Sequence, residues 1–545
     1  MKKITENSWW AFAFLLVTSA YFAGLFVDLT GDSGLYAAIS RQMVDSGDWF
    51  NLKINGVLYD QKPHLFFWLA GLGIQLFGNT NFAFKLFPFI YGVAGIYFTY
   101  RLGKQLFSGE VGKWAALITG TSQIYFLYFF DFHTDSVLQT GVVLALWQLA
   151  VYLQNKNSVN FILGFVGVGL AMLSKGPVGA VLPFFAVLFY LVFQRDFRQL
   201  FHPKWLLGIF ISLMVVSPTL IHLYNSFSVD GIKFFFITNN FGRITGEYAG
   251  SSTDYFFYFH TLLWSFLPWT IIVLFALFSA IKKWFLPEEN TKWSSYLLGS
   301  VFVLLLILSV AKGKAPNYFL IAVAPISVVG GKWLAHFNSI SEKKQRLFIV
   351  LQLIIIGLSA VFFVIVAVVF SSGEIWFSIV LLLILISVIL IISKSGMHSL
   401  KKIILVSVIL TSGLNLYMNA KVLPNLYSYQ GARQVLKLYE EINQPENRLY
   451  NFEIEEYGLF FYSRQPVENI DNWDKLYENM AKPGTWIYTN EIKYNDIINM
   501  NYDIDTVYQI RQSGMNRISL EFLNPKTREQ SLKPNYLIVT GGKNR

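Results

Sequence analysis

The chain has 545 residues, of which 54% are hydrophobic, 17% are aromatic and only 14% are charged; soluble domains carry about 25% charged residues, so this composition excludes a soluble protein of this length. The absence of cysteine excludes disulfides, zinc–thiolate sites and thiol nucleophiles. Residues up to Ala420 include 28 Lys and Arg against 17 Asp and Glu, and the later residues include 15 against 16, so the positive charge lies in the apolar part and indicates membrane topology rather than binding of nucleic acid.

Apolar runs long enough to cross a bilayer recur along most of the chain, because a span needs about 20 apolar residues. We predict about thirteen transmembrane helices, near residues 9–27, 84–101, 113–130, 136–154, 159–173, 177–194, 205–224, 257–280, 294–311, 316–335, 347–370, 375–393 and 400–419. The first run has no small-residue cleavage site after it, so we interpret it as a span and not as a signal peptide. The sequence therefore predicts an α-helical polytopic membrane domain over residues 1–419.

The first outer loop, residues 28–83, is the most informative segment between the spans. Its residues 33–44 predict an amphipathic helix, and residues 64–77 are apolar but short for a span, so we expect an interfacial or re-entrant segment there. Asp32 follows the first span at the membrane interface, where a carboxylate would orient or deprotonate an acceptor. The alternative is structural, since Asp32 or Ser33 also fits the N-cap of the following helix.

Lys62 lies in the same loop, before a proline and an apolar stretch. A lysine at the interface either extends its amine toward water or holds a lipid phosphate as a compact charge, and both interpretations stay open for Lys62. Asp131, His133 and Asp135 lie at the outer end of the third span. Titratable groups next to lipid are costly and are functional by default, although these three also fit the solvated ends of a short loop.

The orientation follows from the basic residues in the connections between spans. Of the Lys and Arg residues up to Ala420, 19 lie on the side of the N-terminus and 9 on the other side, which predicts a cytoplasmic N-terminus. The outer nine are Arg41, Lys53, Lys62, Lys85, Lys175, Lys233, Arg243, Lys312 and Lys314. Cations gathered in a low dielectric repel each other unless an anion joins them. We therefore predict a site for a phosphate-bearing ligand at the outer interface, formed by Lys62, Lys175, Arg243, Lys312 and Lys314.

Two further segments face outward in this topology, the loop 225–256 and the tail 420–545. The tail is polar, and several of its segments have the composition of strands, whereas one predicts a helix. The strand-like segments are 448–454, 485–489, 517–522 and 536–540, and the helical one is 432–442. We therefore predict a small α/β domain outside the membrane over residues 420–545.

Several motifs occur together along the chain. The first outer loop reads Asp32-x-x-x-Tyr36-Ala37-x-Ile39-Ser40-Arg41-x-Met43, then Ser46-Gly47-Asp48-Trp49, then Gly56-x-x-Tyr59-x-x-Lys62-Pro63. Later motifs are His133-Thr134-Asp135, Ser174-Lys175-Gly176, Asn239 to Arg243, Ser265-Phe266-Leu267-Pro268-Trp269, and Ser309-Val310-Ala311-Lys312-Gly313-Lys314-x-Pro316-x-Tyr318. Over residues 30–335 this order resembles the aminoarabinose (lipid A) transferase and protein O-mannosyltransferase-like glycosyltransferases, which are polytopic enzymes of the GT-C fold.

The resemblance implies a sugar donor linked to polyprenyl phosphate, usually undecaprenyl phosphate in bacteria, and transfer with inversion at the sugar carbon. It implies catalytic roles for Asp32 and Asp135, and binding of the donor phosphate by Tyr59, Lys62 and Arg243. The other candidates are Lys175 for the donor phosphate, and Tyr318, Lys312, Lys314, Asp131 and His133 for the pocket of the sugar and the acceptor. No nucleotide sugar, cofactor or metal is implied, although a divalent metal stays open.

Ser33 and Gln61 occupy positions where the family usually has glutamate, which leaves the sugar and the acceptor open. We predict an inverting glycosyltransferase of the bacterial inner membrane, with its active site and its tail on the periplasmic side. A lipid A phosphate is the first-choice acceptor, and a protein Ser or Thr hydroxyl is the second. The alternatives from other classes are a polyprenyl-lipid transporter or flippase, for which the sequence lacks two related halves, and a receptor with a sensory tail.

Overall fold

A computed structural model describes residues 6–247, 251–284, 291–370, 375–442, 447–500, 503–514 and 518–541. The apolar part is helical, because a helix pairs its backbone polar groups within its own segment. Its helices are α1 (Glu6–Gly24), α2 (Gly31–Ser46), α3 (Leu65–Phe77), α4 (Asn81–Leu106), α5 (Gly109–Gly120), α6 (Gln123–Tyr128), α7 (Thr134–Asn155), α8 (Ser158–Lys175), α9 (Val178–Phe193), α10 (Phe197–Leu200), α11 (Lys204–Lys233), α12 (Asn239–Thr245), α13 (Phe257–Ser265), α14 (Thr270–Trp284), α15 (Thr291–Val310), α16 (Leu320–Ala335), α17 (Glu342–Val369), α18 (Ile375–Ser393), α19 (Ser399–Tyr417) and α20 (Leu423–Tyr427). Two short strands, β1 (Lys53–Ile54) and β2 (Val57–Leu58), lie between α2 and α3, and a 3₁₀ turn, Pro316–Phe319, precedes α16.

Each predicted span falls on one helix or on two successive short helices. The spans predicted at 113–130 and 257–280 are divided into α5 and α6, and into α13 and α14. The second break contains Pro268, whose lack of a backbone N–H interrupts the hydrogen bonds of a helix. The two breaks bond to each other, since the Gln123 N–H donates to the Leu267 carbonyl at 2.9 Å. Eight helical segments among the described residues are long and apolar enough to cross a membrane, so the chain is a multi-pass membrane protein, whereas the number thirteen stays a prediction.

The first outer loop folds into a helix, a hairpin and a second helix. The helix predicted over 33–44 is confirmed as part of α2. Strands β1 and β2 pair in antiparallel fashion around Asn55 and Gly56, whose φ angles are 53° and 80°. An Asn-Gly pair suits this turn because both residues tolerate positive φ. The hairpin and α3 together fix the short connection that carries Tyr59 and Lys62.

The tail forms an α/β domain, as the sequence predicts. Its strands are β3 (Arg448–Phe452), β4 (Val467–Ile470), β5 (Thr485–Asn490), β6 (Ile504–Gln512) and β7 (Lys533–Thr540), and its helices are α21 (Gly431–Glu441), α22 (Tyr457–Tyr462), α23 (Trp473–Met480), α24 (Glu491–Ile498), α25 (Leu520–Leu523) and α26 (Arg528–Ser531). The sheet order is β4-β3-β5-β7-β6; β3 is parallel to β4 and β5, and β7 is antiparallel to β5 and β6. Helix α21 packs on one face of this sheet, and α23 and α24 pack on the other. The division of the chain after residue 419 stays a prediction.

The strand predicted at 517–522 is wrong over its described residues, and Arg517 lies outside them. The Ser519 hydroxyl accepts a hydrogen bond from the Phe522 N–H at 3.1 Å and thereby caps α25. The ring of Phe522 is buried against Tyr429, with ring centroids 5.4 Å apart. A local cap and one buried ring therefore outweigh the β propensity of this segment.

The tail domain lies on the first outer loop. Arg41 of α2 donates from Nη1 to the carbonyls of Phe460, at 3.0 Å, and of Ser463, at the end of α22. Arg433 of α21 donates from Nε to a carboxylate oxygen of Asp28 at 2.9 Å. These charge-assisted hydrogen bonds hold the tail domain against α2 and the residues before it. In the first turn of α2, which carries Asp32, Gly34 lies beside Tyr457 of α22.

Candidate functional site

Two adjoining cavities lie between the first outer loop and the ends of several helices. The smaller, of about 200 Å³, is polar, and its lining consists of Asp32, Leu35, Tyr36, Tyr59, Gln61, Lys62, Thr134, Asp135, Lys175, Arg243, Asn317 and Tyr318. The larger, of about 490 Å³, is lined mainly by apolar side chains and shares Lys62, Asp135, Lys175, Arg243 and Tyr318 with the smaller. A polar space that continues into an apolar one fits a ligand with a charged head and a hydrocarbon tail.

Of the two acidic residues in the polar cavity, Asp135 is fixed by more hydrogen bonds than Asp32. It lies in the first turn of α7 and is buried, where the positive end of the helix dipole favours an anion. Lys175 donates from Nζ to both of its carboxylate oxygens at 2.6 Å, and the Asn317 amide donates to one of them at 2.7 Å. The Lys175 amine also lies 4.0 Å from the centre of the Tyr318 ring. Asp135 therefore joins α7, α8 and the turn before α16.

Arg243 enters the cavity from α12. Its Nη1 donates to the Tyr318 hydroxyl at 2.9 Å, and its Nε donates to the Asn239 side-chain oxygen at 3.1 Å. The Asn239 amide in turn donates to the Gln61 carbonyl at 3.1 Å, next to Lys62 in sequence. These hydrogen bonds fix the guanidinium plane between the first outer loop and the turn before α16.

Lys62 lines both cavities and forms no ion pair with any residue that the structure describes. Burial, together with the nearby charges of Lys175 and Arg243, lowers the pKa of Lys62 to about 7, although Asp135 and Asp32 act in the opposite direction. A cation in this situation is stabilised by any ligand that brings negative charge. Phosphate binding therefore fits the surroundings of Lys62 in the cavities better than an amine that extends toward water.

Asp32 lies at the edge of the polar cavity, with 65% of its side chain exposed. The N-cap residue of α2 is Thr30, and the Ser33 hydroxyl accepts from the Thr30 N–H at 3.2 Å. The alternative in which Asp32 caps the helix is therefore wrong, whereas Ser33 does contribute to the cap through its side chain, from the third helical position. The Asp32 carboxylate is available to a ligand, because the helix start is satisfied by other residues.

Asp131 and His133 lie beside Asp32 but do not line the cavity. The Ser33 hydroxyl donates to Asp131 at 2.8 Å, and the other Asp131 oxygen lies 3.2 Å from His133 Nε2. His133 Nδ1 lies 3.9 Å from an Asp32 oxygen. Burial opposes the charged form of Asp131, but His133 and Ser33 outweigh it and lower the pKa of Asp131. Burial also opposes the charged form of His133, but Asp131 and Asp32 outweigh it and raise the pKa of His133.

The structure leaves two of the predicted pocket lysines outside the cavity lining. Lys314 donates from Nζ to the carbonyls of Ser309, at 2.9 Å, and of Ala311, so it satisfies the end of α15. Lys312 is exposed, and its backbone bonds to Ile244. The motif that contains Lys312 and Lys314 contacts the site through its backbone, because the Gly313 N–H donates to the carbonyl of Arg243 at 2.9 Å.

Some cavity residues are absent from the predicted set. They are Leu35, Tyr36, Gln61, Thr134 and Asn317 on the polar side, with Asn239 holding Arg243. Asn317 lies inside the motif that ends at Tyr318, and Asn239 begins the motif that ends at Arg243. Their motifs were therefore the available signal. The groups to which the two amide nitrogens donate, Asp135 for Asn317 and the Gln61 carbonyl for Asn239, lie elsewhere in the sequence and could not be predicted.

Comparisons with known proteins show which families and folds this chain resembles. A family model described as dolichyl-phosphate-mannose-protein mannosyltransferase matches residues 61–222. An undecaprenyl phosphate-alpha-4-amino-4-deoxy-L-arabinose arabinosyl transferase of Edwardsiella ictaluri is 27% identical over 331 residues, which are 58% of this chain and 57% of that protein. An uncharacterised protein of Aquifex aeolicus is 25% identical over 439 residues, 79% of this chain and 81% of its own length.

The crystal structure of ArnT from Cupriavidus metallidurans bound to undecaprenyl phosphate has a TM-score of 0.78 and 17% identity, and the match covers 98% of both chains. The apo form of the same protein gives a TM-score of 0.76 over 99% of both chains. The chain therefore has the fold of these structures, and both the predicted GT-C fold and the resemblance to aminoarabinose transferases are confirmed. The match to the Edwardsiella relative spans little more than half of that protein's length.

Proposed function

We propose that this protein is an inverting glycosyltransferase that moves a sugar from undecaprenyl phosphate, or a similar polyprenyl phosphate, to an acceptor. The observation that carries the proposal is the position of Lys62, Lys175 and Arg243 where the polar cavity meets the apolar one. A phosphate would lie among the three cations while the prenyl chain lies along the apolar lining. The names of the curated relatives and the undecaprenyl phosphate bound to the ArnT structure support this donor.

The reaction exchanges one bond at the sugar carbon. An acceptor oxygen attacks that carbon from the face opposite the phosphate, the bond to the phosphate oxygen breaks, and polyprenyl phosphate leaves with the electron pair. Fixed positive charges aimed at the leaving oxygen lower the barrier, because they stabilise charge that develops in the transition state. Side chains supply this charge, so the proposal includes no cofactor.

The two acids have different roles in this proposal. Asp32, exposed at the cavity edge, orients the acceptor or accepts its proton. Both carboxylate oxygens of Asp135 accept hydrogen bonds from Lys175, and one of them also accepts from Asn317. In this proposal Asp135 therefore stabilises the pocket and positions the sugar. A carboxylate held by two donors is a poor base, because the hydrogen bonds stabilise its charged form.

A lipid A phosphate is the acceptor that we favour, and the outer face of the bacterial inner membrane is the location that we favour. A phosphate acceptor is already ionised and needs no strong base, which suits a cavity with one exposed carboxylate, Asp32. The arabinosyl transferase names of the curated relatives support this choice. A protein hydroxyl would need its proton removed and is the second choice.

The donor site is tested by binding of undecaprenyl phosphate to the full chain in nanodiscs. Removing Lys62 or Arg243 should weaken binding by roughly ten- to a hundredfold, the loss typical of one hydrogen bond to a charged group. Lys233→Ala is the matched control, because this outer lysine is 64% exposed and pairs with Asp230 at 3.4 Å, away from the cavity lining. Equal binding by the wild type, Lys62→Ala and Lys233→Ala would refute the phosphate site.

The acceptor and the sidedness are tested in cells. Mass spectrometry of lipid A and of periplasmic glycopeptides, with and without the gene, separates the two acceptors: loss of a sugar from lipid A is expected, and loss from glycopeptides alone would favour a protein acceptor. A periplasmic reporter fused after the last residue should be active if the tail faces outward, as the basic residues predict.

A further inference from the structure

Asp131 and His133 form a pair that phosphate binding does not use. They lie at the start of α7, outside the cavity lining, and the ring bridges from the Asp131 carboxylate, at 3.2 Å, to the Asp32 carboxylate, at 3.9 Å. Only 17% of the His133 side chain is exposed. The Nε2 atom is within hydrogen-bond distance of Asp131, whereas Nδ1 is beyond that distance from Asp32. The contact with Asp32 is therefore an electrostatic one, between a charged ring and a carboxylate.

The ring is also fixed by its other neighbours. Tyr36 of α2 and Tyr128 of α6 each meet it edge to face, with interplanar angles of 89° and 88°. The charged groups that act on the pair are Asp32 of α2, Asp135 of α7 and Lys85 of α4, whose positive charge favours the ionised form of Asp131. A histidine confined by two aromatic rings and oriented by one carboxylate has little freedom to turn away from the other.

We propose that His133, oriented by Asp131 and through it by Ser33, is a positioning residue that fixes the Asp32 carboxylate at the cavity edge. The ring acts through Asp32 and touches neither the sugar nor the phosphate. This inference rests on the proposed function, because Asp32 has an acceptor to orient only if the protein transfers a sugar. It assigns a task to the partly buried Ser33–Asp131 hydrogen bond.

The proposal gives the pair a defined pH dependence. Although burial opposes its charged form, the neighbouring carboxylates raise the pKa of His133 above its ordinary value of 6.5. The ring is therefore charged and attracts Asp32 below that raised pKa, and the attraction is lost as the pH rises through it. Asp131→Asn removes the charge that contributes most to this rise, so the loss of turnover at high pH should move to lower pH in that variant.

The pair is tested first without reference to activity, by histidine NMR on the full chain in nanodiscs. The wild-type His133 ring, assigned by its absence in His133→Asn, should titrate above pH 6.5, and in Asp131→Asn it should titrate at a lower pH than in the wild type. A ring that titrates at or below its ordinary value, or that does not respond to Asp131→Asn, would refute the pair. This readout is independent of whether the protein transfers a sugar at all.

Kinetics then test the positioning role. We expect His133→Asn to lower kcat roughly ten- to a hundredfold with an unchanged KM for the donor, and Ser33→Ala to lower it less. His260→Asn is the matched control, because His260 faces Asp254 at 3.6 Å but is 58% exposed and lies outside the cavity lining. A folded His133→Asn with wild-type kcat and an unchanged pH profile would overturn the inference. If even the wild type transfers no sugar, the proposed function fails, and the NMR titration alone decides the pair.

Discussion

The cations on the predicted outer face differ in the groups that they contact. Lys85 is buried in α4 and donates to the carbonyls of Gly24, at 3.1 Å, and Val27, at 2.6 Å, and Lys314 does the same for the end of α15. These lysines satisfy backbone groups that helix ends leave without partners. Lys62 instead faces the cavity and has no ion pair within the described ranges. The sequence could predict that these cations have a purpose, but not which purpose, because their partners are set by the tertiary fold.

This difference predicts opposite effects of two matched substitutions. Lys85→Met should lower the free energy of unfolding by about 1–3 kcal/mol, because buried carbonyls lose their donor, and should leave donor affinity unchanged in the folded fraction. Lys62→Met should leave thermal stability near that of the wild type and should weaken donor binding roughly ten- to a hundredfold. Melting curves and donor titrations of both variants measure the effects, and a stability loss in Lys62→Met alone would contradict the assignment.

Donor affinity should depend on pH through Lys62. Because its pKa in the empty site is lowered to about 7, the amine is fully charged only below that pH. A phosphodiester donor keeps its charge, so its affinity should be constant below pH 7 and then fall, by up to about tenfold per pH unit. In Lys62→Arg the guanidinium stays charged, and the affinity should be independent of pH over this window. A wild-type affinity that rises with pH would contradict the assignment.

Substitutions of the two acidic residues in the cavity should have different effects on donor binding and on the chemical step. Asp32→Asn should abolish transfer and leave donor binding nearly intact, because its loss is confined to the transition state. It should also fold normally, since Thr30 and Ser33 satisfy the start of α2. Asp135→Asn should disturb donor binding as well as turnover, because it releases Lys175. The measurements are donor affinity, kcat and melting temperature, and a folded Asp32→Asn with near wild-type kcat would refute the catalytic assignment.

At the scale of elements, the long apolar helices could be predicted from the sequence, whereas several short strands could not. Hydropathy locates α4, α7 and α16 because the bilayer demands an apolar helix of fixed length. The strands β4 and β6 were missed, since the exposed residues of edge strands such as Glu468 and Gln509 remove the apolar alternation. The hairpin before Lys62 was also missed, although Asn55-Gly56 is a recognised turn signal.

Arg41 of α2 makes several of the hydrogen bonds between the tail and the first outer loop. Arg41→Ala should weaken the docking of α22, because its Nη1 donates to the carbonyls of Phe460, Phe461 and Ser463. We expect a loss of about 1–3 kcal/mol, visible as faster amide hydrogen exchange in α22. Lys437→Ala, at an exposed position of α21, is the control and should change nothing. Unchanged exchange in Arg41→Ala would show that the tail docks through other contacts.

At the scale of the whole molecule, the site is a product of assembly. Asp32, Lys62, Asp135, Lys175 and Arg243 come from four helices and one loop, and they meet in a single cavity. The resemblance in motif order implied this set, and in the predicted topology each of these motifs lies at the outer end of an element. It could not distinguish Lys312 and Lys314, which belong to the same motif as Tyr318 but point elsewhere, because the direction of a side chain after a helix end is set by local capping.

The central claim is that the cation-lined cavity transfers a sugar from a polyprenyl phosphate. Its most direct test is a single-turnover reaction of the purified chain in nanodiscs with a polyprenyl-phosphate-linked aminosugar and lipid A, followed by mass spectrometry and by NMR of the anomeric carbon. We predict that lipid A gains the sugar with inverted configuration while free polyprenyl phosphate appears in equal amount, and that Lys62→Ala with Arg243→Ala abolishes both. Retained configuration, or transfer by the double variant at the wild-type rate, would contradict the account.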